Sequence, residues 1–555
     1  MLNSHRASRP CRATLMMTCL MASAVPVLGA EQAPATPEPL SIELILSSLP
    51  PSGSPAHTAL EQAAGGTASQ TLDMTRSEKW TIAADHFAAL AAEAGRQGVE
   101  ITRLDATWNE TLKPAPNGQD MTAKQDQMMI DAMKSKAAMG VHMMALPDAK
   151  VMEYALTKDM NSDVSAADAP EIVFPLDATA TVKIKRTSVE KQNDKYVWHG
   201  VIEETGEMAT LLWWPAGRLA GTITYHGHMY AIRNMGGTMH GVVDMAPKML
   251  PPEHAPMDPK IKEKMKMEDD PLVKNGDAGL LREEMKNAKS PVPHEATPER
   301  GHTKNLEDAS PKAVAGDIGK LALVVPKNSP STAMPESVTI TMMVAYTKRA
   351  AGHYTDITKD LIDVAIEDIN QSFRNSGISN VKVEMVHAYQ TDYVEKGTHF
   401  DHVFKFADKG DGVMEEVHGL RDKYHADVSI LVVDDNNGCG LAAGVAPKED
   451  RAFAVVHHEC AALSYSMGHE LGHIIGARHD TNLDDTKEPF AYGHGFVNGT
   501  SWRTMMSYEE SCGSCPRLPI WSNPEVMIRG MPAGDAQSNN ARVIAEGAAR
   551  VAKFR

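Results

Sequence analysis

Gly468-His469-Glu470-Leu471-Gly472-His473-Ile474-Ile475-Gly476-Ala477-Arg478-His479-Asp480 is the stretch that orders the rest of the chain. Residues four apart lie on one face of a helix, so His469 and His473 can grip a single ion. Glu470 stands one step around the helix, off the ligand face, where its carboxylate reaches a water carried by that ion. Gly476 lets the chain leave the helix in a conformation that other residues resist. The turn brings His479 back as a third nitrogen ligand. Three neutral imidazoles with one position left for water make an open catalytic zinc site, whereas a closed structural site needs a fourth protein ligand. The spacing therefore predicts one zinc ion on His469, His473 and His479, with Glu470 as general base. Nothing in the sequence indicates calcium.

Around this helix, strands and helices alternate. SVTITMMVAYT, VKVEMVHAY and ADVSILVVDD read as strands, and Ile357 to Phe373 and Val413 to Tyr424 as helices. GLAAGVA and AFAVVHH follow as short strands before a helix from about Ala462 to Ile475. That alternation predicts a mixed sheet with helices packed on it, over residues 336–555.

The segment HExxHxxGxxHD resembles the metzincin metallopeptidases, and its closing Asp480 resembles their adamalysin (reprolysin) branch. ITMMVAYTKRA, INQSFRNSGI, YHADVSILVV, NNGCGLAAG, RAFAVVHHEC, WRTMMSY and CPRLPIWSNP extend the likeness to the bacterial peptidyl-Asp metallopeptidases. The resemblance implies an α/β zincin-like catalytic domain: a mixed twisted sheet with an active-site helix and a Met-turn. Met506 matches the Met-turn methionine by its spacing to Tyr508. Tyr508 is implied to stabilise the oxyanion or to ligate zinc weakly. Gly440, Leu441, Ala442, Ala443 and Gly444 resemble the edge strand along which substrate lies extended. The resemblance also implies cleavage on the amino side of Asp, hence a cationic pocket for the residue after the cut. Arg503 and Arg517 lie where the family builds that pocket, Arg517 being the first choice; a guanidinium fork suits a carboxylate.

Upstream, the chain changes character several times. Residues 1–30 carry a basic start, an apolar stretch and a closing Ala30, which predicts a secretory signal peptide. Residues 31–170 read as an N-terminal pro-region, partly helical or disordered, with a helix through Trp80, Phe87, Leu90 and Ala94. Residues 171–245 read as a β-rich pro-domain, weakly resembling the pro-regions of related exported proteases. Residues 246–335 have the charged, Pro-rich composition of a linker, and the mature enzyme is expected to begin within residues 300–337.

Composition bounds the function. The net charge of -17 disfavours nucleic acid and anionic membrane as partners. Protein or peptide substrates, no membrane anchor, a monomer and secretion (extracellular or periplasmic) are expected. Of six cysteines, Cys11 and Cys19 leave with the signal. Cys439 with Cys460 and Cys512 with Cys515 are the expected disulfides, the CxxC pair being alternatively redox-active or half of a zinc site. Residues 31–438 contain no cysteine, so latency by a thiolate on the metal is excluded. His457, His458 and His494 read as structural, and His199, His226 and His228 as surface residues. The expected activity is a secreted zinc endopeptidase; the alternative is a catalytically silent binding protein on a protease fold.

Overall fold

The computed structural model describes residues 41–253 apart from short breaks and the stretches 107–121 and 161–168, then residues 323–324, and residues 337–555 apart from residue 514. The expected signal peptide lies outside the described residues.

The N-terminal part is more ordered than its composition suggests. β1 (Ser41–Ser47), β2 (Ala68–Leu72), β3 (Ser77–Ala83) and β4 (Glu100–Ala106) form an antiparallel sheet in the order β2-β3-β1-β4. Helices Pro55–Ala63 and Phe87–Gln97 accompany it. Ser54 caps the first helix by accepting the His57 N–H, and Pro55 opens it without losing a needed donor. Reading residues 31–170 as partly helical or disordered therefore missed a sheet. Trp80 is a buried strand residue rather than the start of a helix. The Ala-rich run after it has helical spacing that extends back over Trp80 by coincidence.

β5 (Ala138–Ala145) joins the next seven strands in one antiparallel sheet. These are β6 (Glu171–Pro175), β7 (Thr181–Gln192), β8 (Lys195–Ile202), β9 (Met208–Trp214), β10 (Arg218–Tyr225), β11 (His228–Gly236) and β12 (Met239–Met245). The order is β5-β12-β11-β10-β9-β8-β7-β6. Two of its hairpins close through two-residue loops that begin with positive φ, at Asn193 and His226, as tight hairpin turns require.

One face of this sheet packs on the following domain. Val197, Leu212, Trp214 and Ala220 belong to the same buried cluster as Val364, Ile369 and Phe373 of the helix Asp363–Asn375. A large apolar side chain buried this way is worth about 1.5–3 kcal/mol. Charged pairs line the same seam: Lys195 Nζ to Asp363 at 2.7 Å, Arg218 to Asp360 at 2.7 Å, and His199 Nε2 to Glu367 at 3.0 Å. His199 is thus buried, not a surface residue; its partner is too far along the chain to be seen locally. His226 and His228 are exposed.

The second domain carries the mixed sheet. β13 (Leu323–Val324) lies in a separate small sheet. β14 (Val338–Tyr346), β15 (Val381–Gln390), β16 (Val428–Val433), β17 (Gly440–Ala442) and β18 (Phe453–His457) are ordered β15-β14-β16-β18-β17. All neighbours are parallel except β17, which pairs antiparallel to β18 at the edge. β16 is buried along its whole length, as a central parallel strand covered on both faces must be. Helices Asp363–Asn375 and Glu416–Lys423 make the crossovers. The helix Ser466–Ile475 is buried at every position beneath the sheet edge. A ribbon of β19 (Val497–Asn498) and β20 (Trp502–Arg503) comes next, and then β21 (Asn523–Ile528) with β22 (Met531–Ala533), β21 also pairing with β13. Among the described residues, no helix is long and apolar enough to cross a membrane.

Residues 246–335 are not uniformly a linker. Residues 246–253 run on from β12 onto the second domain, where the Cys439 N–H donates to the Pro252 carbonyl at 2.8 Å. β13 is part of a sheet, and residues 254–322 lie outside the described residues. Cys439–Cys460 and Cys512–Cys515 are both disulfide-bonded, the expected pairing, and the bonded sulfurs of the CxxC pair do not form half of a zinc site.

Candidate metal centre and acidic-side-chain pocket

The helix Ser466–Ile475 ends at Gly476, whose φ of 131° turns the chain sharply back. A Cβ there would also strike Phe490 at 2.9 Å, so only glycine fits the turn. His479 is returned beside the helix. Its Nε2 lies 2.8 Å from that of His473 and 3.2 Å from that of His469, and the latter two are 3.1 Å apart.

His469 and His473 each commit the other ring nitrogen to a backbone carbonyl. His469 Nδ1 donates to the Met505 carbonyl at 2.8 Å, and His473 Nδ1 to the Ala477 carbonyl at 2.9 Å. That fixes the tautomer and leaves each Nε2 with a lone pair aimed at the shared centre. All three rings are buried. Lone pairs gathered so closely repel unless a cation stands between them, so the donor set fits a divalent metal ion.

The surroundings hold the triad in place. His494 Nδ1 donates to the His479 carbonyl at 2.9 Å, an orienting role that no sequence pattern signals. Asp480 Oδ2 accepts the Tyr508 N–H at 3.2 Å, tying the loop that carries His479 to the turn below. Met506 packs under the helix, its Sδ 2.9 Å from where a Cβ on Gly472 would stand. The Tyr508 hydroxyl lies 2.7 Å from His479 Nε2. Glu470 is buried, and Gly440 abuts it: a Cβ on Gly440 would sit 2.4 Å from Glu470 Oε1. The start of the edge strand is therefore within reach of the carboxylate. Of the other segment residues, Leu441 and Ala442 are in β17, while Ala443 and Gly444 lie just past it.

Arg503 and Arg517 come together beside this centre. Neither points to solvent: their side chains are 8% and 6% exposed. Arg503 Nε donates to the Cys515 carbonyl, and both guanidinium groups donate to the Ser507 carbonyl. Each also holds Glu253 Oε1 at 2.7 Å, and the Glu509 N–H donates to Glu253 Oε2 at 3.0 Å. Burial works to raise the Glu253 pKa, but the charges of Arg517 and Arg503 outweigh it and hold the carboxyl below its usual range. Sequence reading passed over Glu253, which sits in linker-like composition.

A second group, His353, Asp434 and His458, also converges. Asp434 Oδ1 meets both imidazoles, at 3.1 and 3.2 Å, and Oδ2 accepts from Arg349 at 2.9 Å. With a guanidinium already on the carboxylate, the cluster is satisfied as a charged hydrogen-bond network.

A family model for metallopeptidase family M12 matches residues 336–522. The peptidyl-Asp metalloendopeptidase of Pseudomonas fragi is 31% identical over 188 residues, 34% of this chain and 99% of that protein. This chain belongs to the M12 metallopeptidases. The peptidyl-Asp metalloendopeptidase of Xanthomonas campestris pv. campestris is 38% identical over 218 residues, 39% of this chain and 52% of that protein. That of Stenotrophomonas maltophilia strain R551-3 is 37% identical over 222 residues, 39% of this chain and 53% of that protein. The chain thus spans about half the length of these two M12 relatives. Among solved structures, metalloproteinase-II from Bacteroides fragilis aligns over 58% of this chain and 84% of that one, at 12% identity and a TM-score of 0.29. That likeness is too slight to carry an argument. All the comparisons with M12 relatives that carry weight fall on the domain holding the histidine triad, and the family implies a catalytic metal there.

Proposed function

We propose that this chain is an exported zinc endopeptidase that cuts peptide bonds, with preference for those on the amino side of aspartate. The observation that carries the reading is the convergence of three buried imidazole nitrogens within 3.2 Å, two from the helix that also bears Glu470 and the third, His479, returned beside it by the Gly476 turn. Bound there, zinc would lower the pKa of a water to about 7 and polarise the scissile carbonyl.

The chain's own residues supply the rest. The Glu470 carboxylate takes a proton from the attacking water and passes it to the leaving amine nitrogen. The Tyr508 hydroxyl donates to the carbonyl oxygen as negative charge builds on it. The edge strand from Gly440 receives the substrate backbone in an extended form. Arg503 and Arg517 receive the aspartate carboxylate on the far side of the cut. The name of the relatives supports this preference, and so does the presence of a carboxylate on both arginines. Two disulfides and an apolar leader support export. Residues 31–245 act as a pro-region, and a cut within residues 300–337 yields the mature enzyme.

Mapping cleavage sites in a peptide library, with and without a zinc chelator, tests the reading. Chelator-sensitive cuts clustered before Asp support it; absence of cleavage by processed, zinc-loaded protein overturns it.

A further inference from the structure

Glu253 is held as a ligand is held. Two guanidinium groups meet one of its oxygens and a backbone N–H meets the other. The three donors come from β20 and from the chain around the CxxC disulfide, whereas Glu253 arrives from the N-terminal half, 250 residues before Arg503. Removing the carboxylate would leave two buried like charges side by side with only backbone carbonyls to accept from them, a costly arrangement. The arginine pair is therefore a site that demands an anion.

The approach of the segment matters as much as its end. Pro251 and Pro252 precede Glu253, and consecutive prolines hold the backbone extended without needing N–H partners. The Pro252 carbonyl accepts from Cys439, the residue immediately before Gly440, and Gly440 lies against Glu470. An extended peptide thus meets the head of the edge strand and turns its next side chain, an acid, into the arginine pair. Leu250 anchors the segment by packing near Leu463, in the chain leading to the metal-binding helix.

We propose that Pro251-Pro252-Glu253 is a pseudo-substrate: Glu253 occupies, within the same chain, the subsite that takes the acidic side chain of a substrate, and so keeps the cleft closed to other peptides. This rests on the reading of Arg503 and Arg517 as that subsite. It differs from latency by capping the metal, because the blocking contact falls on the specificity pocket. Loss of the segment both frees the cleft and leaves the arginines needing a new carboxylate, so release and acid selectivity are one event.

Binding to the full, zinc-loaded chain tests this without turnover. In a Glu470→Gln background, which cannot cut itself, the affinity of a short fluorescent peptide with a central Asp is measured by anisotropy, alongside its Asn counterpart. Adding Glu253→Gln, nearly the same size, is expected to tighten Asp-peptide binding at least tenfold and to leave the Asn peptide much weaker. Equal gains for both peptides would uphold the blockade and overturn the acid-pocket reading. No gain for either, in protein whose melting transition matches that of the parent, overturns the pseudo-substrate. Glu253→Ala serves as a second variant and should give the same gain.

Discussion

Arg503 and Arg517 are backbone partners: the Arg503 N–H donates to the Pro516 carbonyl at 3.0 Å and the Leu518 N–H to the Arg503 carbonyl at 2.9 Å. The strand bridge places two guanidinium groups side by side, and the Ser507 carbonyl between them accepts from both. Neither side chain is free to swing away. With Glu253 in place the pair is held rigidly by backbone contacts as well, which would favour selectivity in the proposed pocket because little ordering would remain on exchanging one carboxylate for another.

Replacing Arg517 by alanine should lower cleavage before Asp by about 10- to 100-fold, the usual worth of a charge-assisted hydrogen bond. Cleavage before Leu should change far less. The ratio of kcat/KM values for two matched peptides is the measurement, and an unchanged ratio removes Arg517 as selector. Arg503→Ala should shift the ratio the same way but also lower stability, since Arg503 braces Cys515.

Glu470→Gln should keep the metal and lose about 10²- to 10⁴-fold in kcat, because shape is retained and the proton acceptor is not. His473→Ala should lose the metal instead. Metal content by elemental analysis, measured beside activity, separates the two outcomes. A Gln variant within a few fold of the parent would exclude Glu470 as the base.

Asp368 makes the seam between the domains sensitive to pH. It is buried under β10, its carboxylate 3.3 Å from the Thr222 hydroxyl. Burial pushes its pKa up to about 7, with neighbouring Glu367 adding to the rise and the hydroxyls of Thr210 and Thr222 opposing it. Glu367 itself is paired with His199 and Arg374. A carboxyl whose folded pKa exceeds its unfolded value adds stability at low pH that fades as pH climbs through the folded pKa. The full chain's melting temperature should therefore fall between pH 5 and 8 relative to that of Asp368→Asn, which cannot titrate. Parallel melting curves across that range would argue against the buried carboxyl.

Replacing Cys439 and Cys460 by alanine opens a cross-link between residues 21 apart in sequence. The chain-entropy estimate for such a loop is about 3 kcal/mol. Denaturant unfolding should show a loss of that order. The shorter Cys512–Cys515 loop, with a separation of 3, should matter less to stability and more to the Arg503 pocket.

Legibility tracked the range of the interactions. His469, His473 and His479 were readable because their geometry is encoded within eleven residues, by helical period and one glycine. The parallel strands were readable as buried apolar runs. Trp80 was misread because alanines carry little sign of which period they belong to. Asp363–Asn375 was placed nearly correctly, yet its acidic face was unexplained, since Lys195, His199 and Arg218 come from strands far earlier. Glu253 was invisible for the same reason: two prolines and an acid look like linker until the arginines 250 and more residues later are known. Long-range charge pairing leaves no local periodicity to read.

If the chain is cut as proposed, the acidic face of that helix and of the turn before it would govern how the two halves behave. Asp360, Asp363 and Glu367 meet Arg218, Lys195 and His199, while Asp368 meets hydroxyls. If the halves part, all four carboxyl groups hydrate together, and Arg218, Lys195 and His199 leave with the N-terminal sheet. A negative stripe then remains on the protease and a positive one on the liberated fragment. Their attraction persists at low ionic strength and is screened within about 8 Å at physiological salt. Under the proposed processing, severing the polypeptide and freeing the protease would therefore be separate steps, and salt concentration would govern how long the nicked complex outlives the cut.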